Sequence, residues 1–177
     1  MIDDCKYIIR KATLDDVDFI TKVIIEAEKS MTNNFGLAKF FEMSENEIER
    51  YIKQILEEEV DGCEFSLSSF YVAEYEGETV SALGGWLEGY FDEMPSEILK
   101  SNLVGFVFPK DKVLKTASKA DIVRALQIPR EMGTYQLEYS YTRDDHRGHR
   151  LIQRLMMAHL AYAKKLNPDI KKAQLHV

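Results

Sequence analysis

The segment from Tyr135 to Tyr162 constrains the fold most, because two different hydrophobic periods meet there across one turn. Leu137, Tyr139 and Tyr141 alternate with polar residues, which is the period of a half-buried strand. From Leu151 onward the apolar side chains return at helical spacing. The turn between the two is rich in arginine and contains a glycine. Because the first backbone N–H groups of a helix lack intrahelical partners, this strand–turn–helix unit predicts an anion site where the helix begins.

The overall charge makes that turn more distinctive. The chain has 177 residues, 45% hydrophobic and 30% charged, as in soluble globular proteins, and its net charge is −7. We therefore expect no nucleic-acid or membrane partner. Four arginines are nevertheless concentrated in and after the turn, at Arg143, Arg147, Arg150 and Arg154. A local basic cluster on an acidic protein predicts a discrete anion site rather than a polynucleotide track.

The cysteines and the first residues of the chain indicate the cellular compartment to expect. Cys5 and Cys63 form neither a metal-ligand spacing nor a disulfide framework. The opening residues show no basic region followed by an apolar one, and no apolar run approaches transmembrane length. We expect a cytoplasmic protein.

The coarse pattern predicts an α/β (α+β) fold, in which helices flank a mixed, mostly antiparallel sheet with one parallel crossover near the end. The predicted order is β-α-α-β-β-(helical insert)-β-α-β in a single domain, 1–177, with the insert at about 87–133. Thr13 and Ser44 are predicted helix N-caps, the latter in a capping box with Glu47. Two short insert helices are predicted at about 95–103 and 118–127, the second capped by Ser118. Strands are predicted at 7–12, 70–75, 79–86, 135–142 and 172–177.

Three segments of the chain resemble the GNAT superfamily of acyl-CoA-dependent N-acyltransferases. Ile9–Asp16 is similar to the opening strand and helix start of that family, and Tyr71–Val80 to its central hairpin. Arg147–Ile152 stands where the family has its pyrophosphate loop, usually written Q/R-x-x-G-x-G/A. The resemblance implies a GNAT-like acyltransferase fold, acetyl-CoA as cosubstrate, no metal, and an amine as acceptor.

The chain departs from the family pattern in two places. Arg147 fits the loop pattern and Gly148 is retained, but Arg150 and Ile152 replace the usual small residues. The family also continues past the last strand with a helix and two strands, which help to wall the acceptor pocket and often supply a tyrosine acid. The 177 residues hold no counterpart. Three interpretations stay open: a fragment, an open side covered by a partner, or a reduced form without turnover.

The resemblance implies roles for residues around the turn. Backbone N–H groups of residues 147–152 would hold the pyrophosphate, and the strand edge at Tyr141 and Thr142 would pair with the pantetheine. The predicted cofactor-binding residues are Tyr141, Thr142, Arg147, Gly148, His149, Arg150, Leu151 and Ile152.

Catalytic and acceptor residues are predicted from the same comparison. Glu138, expected in phase with Ser140 and Thr142, is the candidate base; the alternative is a solvent-facing glutamate. Tyr141 and Tyr139 are candidate acids for the thiolate, the alternative being core packing. Glu88 is a second candidate base. The predicted acceptor-binding residues are Trp86, Glu88 and Tyr90, with Phe91 beside them; the alternative is a small second core.

The histidines of the turn predict no metal site. His146 and His149 lack the third ligand of a catalytic zinc site, and His159 is expected to be packed in the core.

The favoured function is an N-acetyltransferase for a primary amine of a small molecule or peptide. The alternatives are an acyl-CoA-binding module without turnover and an assembly protein, with a homodimer formed through the C-terminal strand.

Overall fold

A computed structural model describes residues 4–30, 32–58, 60–90, 93–126 and 128–176 of the chain. The strands are β1 (Ile8–Lys11), β2 (Phe70–Tyr75), β3 (Glu78–Leu87), β4 (Tyr135–Thr142) and β5 (Ala173–Leu175). The helices are α1 (Val17–Lys29), α2 (Gly36–Phe41), α3 (Glu45–Leu56), α4 (Ser96–Val107), α5 (Lys110–Leu126) and α6 (Leu151–Leu166).

The strands form one sheet in the order β1-β2-β3-β4-β5. All neighbouring pairs are antiparallel except β4 and β5, which are parallel and joined through α6. The β2–β3 hairpin turns at Glu76 and Gly77, whose φ angles of 52° and 87° match the turn that suits twisted strands. The predicted mostly antiparallel sheet with one late parallel crossover is confirmed.

Each face of the sheet has its own apolar core. On one face α1, α2, α3 and α4 bury aliphatic and aromatic side chains, among them Ile24, Ile52 and Phe70. On the other face α6 packs Leu151 and Leu155 against the sheet. The amphipathic period of α1, α3 and α6 contributes to both cores, because each of these helices turns one apolar stripe inward.

In the first part of the chain, the helix starts predicted from capping residues agree with the structure. Ser44 and Glu47 form the predicted capping box at the start of α3. Thr13 forms one with Asp16, although a single 3-10 turn over Leu14–Asp16 precedes α1.

Three predictions differ from the structure. The segment before Ser44, where the sequence predicts no element, contains α2, which forms because Ala38 and Phe41 reach the core. In the insert, α4 continues to Val107, and α5 begins directly after Pro109, whose carbonyl accepts the first helical hydrogen bonds. Ser118 therefore lies inside α5 and is not a cap. The last strand is shorter than 172–177, and Val177 lies outside the described residues.

A bulge interrupts β4 at Tyr139, which has a φ of 54°. Along β3, Glu138 and Ser140 occupy consecutive partner positions, so Tyr139 is the extra residue. The extra residue reverses the alternation of side chains. Glu138 thus shares a face with Tyr141, and the predicted common phase with Ser140 and Thr142 is wrong.

None of the described helices is both long enough and apolar enough to cross a membrane.

Candidate functional site

A groove of about 1290 Å³ opens where β4 and β5 part. The two strands pair only over Tyr135–Leu137, so Glu138–Thr142 keep one edge without a neighbouring strand in the described part of the chain. The end of α1, the start of α4, residues 128–130, the turn before α6 and His176 wall the groove. An extended ligand can add to such an edge through main-chain hydrogen bonds.

The start of α6 closes one end of the groove. Arg150 precedes the helix in the left-handed region, with a φ of 55°, and its side chain makes no capping hydrogen bond. The amides of Leu151, Ile152 and Gln153 therefore keep their donor capacity, and all three residues line the groove. The side chain of Arg150 is exposed and lines the same end. This end suits an anion such as a phosphate.

The other arginines of the turn are tied to acidic neighbours. Arg143 pairs with Glu78 at 2.8 Å and with Asp145 at 2.7 Å. Arg147 pairs with Asp144 at 2.9 Å, and its side chain is 63% exposed. An exposed pair of this kind is weak, so Arg147 is available to an incoming anion after a small rearrangement.

The two histidines of the turn differ in position. His146 is buried at the groove wall, and its Nδ1 lies 2.8 Å from the hydroxyl of Tyr7. His149 packs against the ring of Tyr7, with ring centroids 5.6 Å apart, and does not line the groove. The described residues contain no group of three or more His, Cys, Asp or Glu side chains placed to hold a metal ion.

Glu138 lies beside the strand bulge and lines the groove, but it is only 8% exposed. The alternative of a solvent-facing Glu138 is therefore wrong. Arg130 clamps the carboxylate: its Nη2 lies 2.7 Å from Oε1 and 2.9 Å from Oε2, and its Nε lies 3.0 Å from Oε1. His176 Nδ1 is 3.8 Å from Oε1.

A second carboxylate shares the same guanidinium. Glu64 Oε1 accepts from Arg130 Nη2 at 3.1 Å and from Lys100 Nζ at 2.8 Å. Its Oε2 is buried without a hydrogen-bond partner among the described residues. Burial and the nearby charge of Glu64 raise the pKa of Glu138 above its ordinary value, despite the attraction of Arg130. Burial acts in the same direction on Glu64, but Lys100 and Arg130 outweigh it and lower its pKa.

The two candidate tyrosine acids have different surroundings. The hydroxyl of Tyr139 donates to Glu28 Oε1 at 2.7 Å, and burial together with the Glu28 charge raises the pKa of Tyr139 well above 10. A phenol held in this way is a poor proton donor. Tyr141 also lines the groove, with its ring against Phe19 and the ammonium group of Lys22 5.2 Å from the ring centroid.

The predicted acceptor residues separate in space. Glu88 lines the groove, and its carboxylate accepts from Trp86 Nε1 at 2.9 Å and from the Ser96 amide at 2.8 Å, at the start of α4. Trp86 lies beneath Arg130, whose guanidinium carbon is 5.1 Å from the indole, and is not part of the groove lining. Tyr90 is 46% exposed and also outside the lining. Phe91 is outside the described residues.

Sequence reasoning missed four residues around the predicted ones. Arg130 contacts Glu138 and Glu28 contacts Tyr139, while Glu64 and Lys100 are linked to Glu138 through Arg130. Arg130 and Lys100 lie in the insert, which shows no recognisable motif. Glu64 carried a weak signal, because a charged residue stands there between Cys63 and Phe65, both of which are buried. Sequence spacing alone does not show that these side chains converge on Glu138.

Comparisons with known proteins bear on the fold. No protein-family model matches the sequence, and no curated protein sequence does either. Among solved structures, an N-acetyltransferase from Staphylococcus aureus Mu50 is similar with a TM-score of 0.66 and 16% identity, over 95% of this chain and 80% of that chain.

Two further solved structures are similar over almost the whole chain. A GCN5-related N-acetyltransferase from Ralstonia eutropha JMP134 has a TM-score of 0.53 and 14% identity, over 97% of this chain and 83% of its own. A possible acetyltransferase from Clostridium difficile 630 has a TM-score of 0.52 and 15% identity, over 97% of this chain and 79% of its own. Together with the mixed sheet and its flanking helices, these similarities show that the chain has the fold of the GNAT N-acetyltransferases.

Proposed function

We propose that this protein is an N-acetyltransferase that moves an acetyl group from acetyl-CoA to a primary amine of a small molecule or peptide. One observation carries the proposal. A single groove connects an uncapped helix start, an unpaired strand edge and a buried carboxylate of raised pKa. These are the three elements needed to bind a phosphorylated thioester, extend it along a strand and remove a proton from an amine.

Acetyl-CoA fits the groove with its diphosphate at the start of α6. The amides of residues 151–153 and the side chain of Arg150 contact the phosphates, and Arg147, Gly148 and His149 shape the turn around them. The pantetheine then extends along the free edge of β4 past Thr142 and Tyr141. Backbone N–H groups of this edge polarise the thioester carbonyl.

The reaction is a direct displacement. An ammonium group loses its proton to Glu138, directly or through a water molecule, and the neutral nitrogen attacks the thioester carbonyl carbon. The new C–N bond forms, the C–S bond breaks, and the CoA thiolate takes a proton from Tyr141. The bonded nitrogen then loses its remaining extra proton, which returns to the Tyr141 oxygen, so that Glu138 keeps the one proton released overall. A raised pKa favours Glu138 as a proton acceptor near neutral pH, once Arg130 releases one carboxylate oxygen.

Thiol release tests the proposal. The purified chain is mixed with acetyl-CoA and a panel of primary amines, and free CoA thiol is followed. We expect Glu138→Gln to lower kcat/KM about 100-fold or more and to leave the dissociation constant of acetyl-CoA within about two-fold of wild type. Glu58→Gln, which changes an exposed carboxylate at the end of α3, is the matched control.

Two results would contradict the proposal at different levels. Wild-type rates in Glu138→Gln would remove Glu138 from the role of base. Binding of acetyl-CoA without thiol release for any amine would instead support the alternative of an acyl-CoA-binding module without turnover.

A further inference from the structure

We propose that Glu64 is a positioning residue of the acetyl transfer, which acts through Arg130 to keep Glu138 able to accept a proton. The inference rests on the proposed function, in which Glu138 is the base. Glu64 is only 1% exposed and is not part of the groove lining, whereas Arg130 and Glu138 both line the groove. Glu64 therefore acts on the reaction through its neighbours and not by contact with a substrate.

One guanidinium serves both carboxylates. Arg130 Nη2 lies 2.7 Å from Oε1 of Glu138 and 3.1 Å from Oε1 of Glu64. The guanidinium is partly buried, and a charge withdrawn from water needs a partner of opposite sign if the folded protein is to keep its stability. Arg130 therefore requires an ionised carboxylate beside it throughout the reaction.

Glu138 alone does not meet this requirement. When it takes a proton from the amine it becomes neutral, and it no longer balances the charge of Arg130. Burial opposes the ionisation of Glu64, but Lys100 and Arg130 outweigh burial and lower the pKa of this carboxyl. Glu64 thus stays the ionised partner of Arg130 in both protonation states of Glu138.

The second oxygen of Glu64 suits an exchange of hydrogen bonds. Oε1 accepts from Lys100 and Arg130, but Oε2 is buried and has no hydrogen-bond partner among the described residues. A buried oxygen without a donor is costly. A small turn of Arg130 brings an N–H group to this oxygen. The same turn frees an oxygen of Glu138 for the proton of the amine.

Glu64 also acts on the proton affinity of Glu138 through its charge. Burial, followed by the charge of Glu64, raises the pKa of Glu138, whereas the positive charges of Arg130 and Lys100 lower it. Without Glu64, the two cations would hold Glu138 as an ordinary ion-paired carboxylate, which is a weaker base.

The other titratable groups beside Glu138 carry a fixed charge at pH 7. Burial and the charge of Arg130 lower the pKa of His176, whose Nδ1 lies 3.8 Å from Glu138 Oε1. Burial and the charge of Glu28 raise the pKa of Tyr139. Both groups are therefore neutral. The other carboxylates that line the groove are those of Glu26, Glu28, Glu88 and Glu97.

The pH dependence of thiol release tests the proposal. We compare kcat/KM of Glu64→Gln and wild type with one amine between pH 5 and pH 8, because the ratio of the two cancels ionisation of the amine. Loss of the Glu64 charge makes Glu138 a weaker base that stays ionised at lower pH. We expect the ratio to be below one at pH 8 and to rise about 10-fold by pH 5. The dissociation constant of acetyl-CoA should stay within about two-fold of wild type.

A variant of opposite sign separates charge from structure. Lys100→Gln breaks the same ion pair but removes the positive charge, so its ratio to wild type should fall as the pH is lowered. A purely structural role of the ion pair would make the two variants behave alike. Glu58→Gln, the exposed control, should give a ratio that does not change with pH.

Two further variants guard the interpretation. Glu64→Gln/Lys100→Gln leaves neither charge unpaired, so it tests the proposal even if Glu64→Gln does not fold. Its ratio should rise toward pH 5, but less than in Glu64→Gln, because Glu64 acts more strongly on Glu138 than Lys100 does. The rise should persist when wild type and variant both carry His176→Gln, which excludes titration of that histidine as the cause.

The contrary results fall into two groups. A ratio that is constant with pH in Glu64→Gln and in the double variant, equal trends in Glu64→Gln and Lys100→Gln, or loss of the rise with His176→Gln would each overturn the role of Glu64 while the acetyltransferase proposal stands. Absence of thiol release from wild type with every amine, under conditions in which acetyl-CoA binds, would overturn both.

Discussion

At the scale of single residues, Arg130 determines what a substitution of Glu138 does to the stability of the protein. Its guanidinium contacts both Glu138 and Glu64, and removing one member of such a buried pair leaves an uncompensated charge that costs about 3–5 kcal/mol. Glu138→Gln avoids this cost, because Arg130 keeps Glu64 as a partner and an amide oxygen still accepts a hydrogen bond. The variant therefore tests proton transfer rather than folding.

His159 gives the protein a pH-dependent stability. It is fully buried on α6, with Nε2 2.8 Å from the carbonyl oxygen of Leu83, and burial lowers its pKa to about 3. The expected packed histidine is thus confirmed. Between about pH 6.5 and pH 3 the unfolded chain binds a proton at this position and the folded chain does not, so stability falls as pH decreases through this window.

We expect this histidine to lower the free energy of unfolding by about 2 kcal/mol between pH 7.5 and pH 5. Urea unfolding of wild type and His159→Gln at the two pH values measures it. The variant should be less stable at pH 7.5 but lose less stability at pH 5. An equal loss in both proteins would show that His159 is not the group responsible.

At the scale of elements, the approach of α6 to the sheet depends on a residue without a side chain. A Cβ atom on Gly85 in β3 would lie 2.8 Å from Nδ1 of His159 and 2.8 Å from a methyl carbon of Leu137. Neither neighbour has room to move in a buried core, so α6 and β4 are held at a distance that only glycine permits.

Gly85→Ala is therefore expected to lower the free energy of unfolding by about 1–3 kcal/mol, the usual cost of overpacking. Gly105→Ala in α4 is the matched control, because nothing lies within 4 Å of its added Cβ, and it should stabilise the protein by up to about 1 kcal/mol. Chemical denaturation of both variants measures the difference. No loss in Gly85→Ala would mean that α6 moves away from the sheet freely.

At the scale of the whole molecule, binding of acetyl-CoA at the α6 end of the groove should raise the free energy of unfolding of the whole protein. Acetyl-CoA at about one hundred times its dissociation constant stabilises a protein by about 2.7 kcal/mol. For a chain of this length, thermal unfolding should shift upward by about 5–10 °C.

Arg150→Gly separates ligand contact from backbone strain. Arg150 has a φ of 55°, which glycine adopts more easily, so the variant should have a higher Tm than wild type without ligand. Its shift with acetyl-CoA should be smaller, because one charge-assisted contact is lost. A full shift in the variant would show that Arg150 does not contact the phosphates.

Much of the fold was predictable because it depends on residues close together in the chain. The Ser44–Glu47 capping box, the turn at Gly77 and the change of period after Tyr141 are local signals, and each was confirmed. The position of α2 and the start of α5 were not predicted. α2 forms because distant elements bury its aromatic residues. The second insert helix was predicted only from about 118, whereas α5 begins directly after Pro109, whose carbonyl accepts its first hydrogen bonds.

The site was predictable only in part. Sequence reasoning identified the turn before α6 and selected Glu138, both of which line the groove. It assigned Glu138 to the wrong face of β4. A bulge adds one residue to the strand, and the alternation of apolar and polar residues in the sequence does not reveal it. Trp86 and Tyr90 were grouped with Glu88 by proximity in the chain, yet only Glu88 lines the groove.

By itself, the sequence determined most of the elements and the strand–turn–helix unit, since these follow from spacing and caps over a few residues. The tertiary structure decided which charges meet. Arg130, Lys100 and Glu64 converge on Glu138 from separate parts of the chain. Electrostatic interaction depends on distance and burial in space, and neither is encoded in the separation of residues along the sequence.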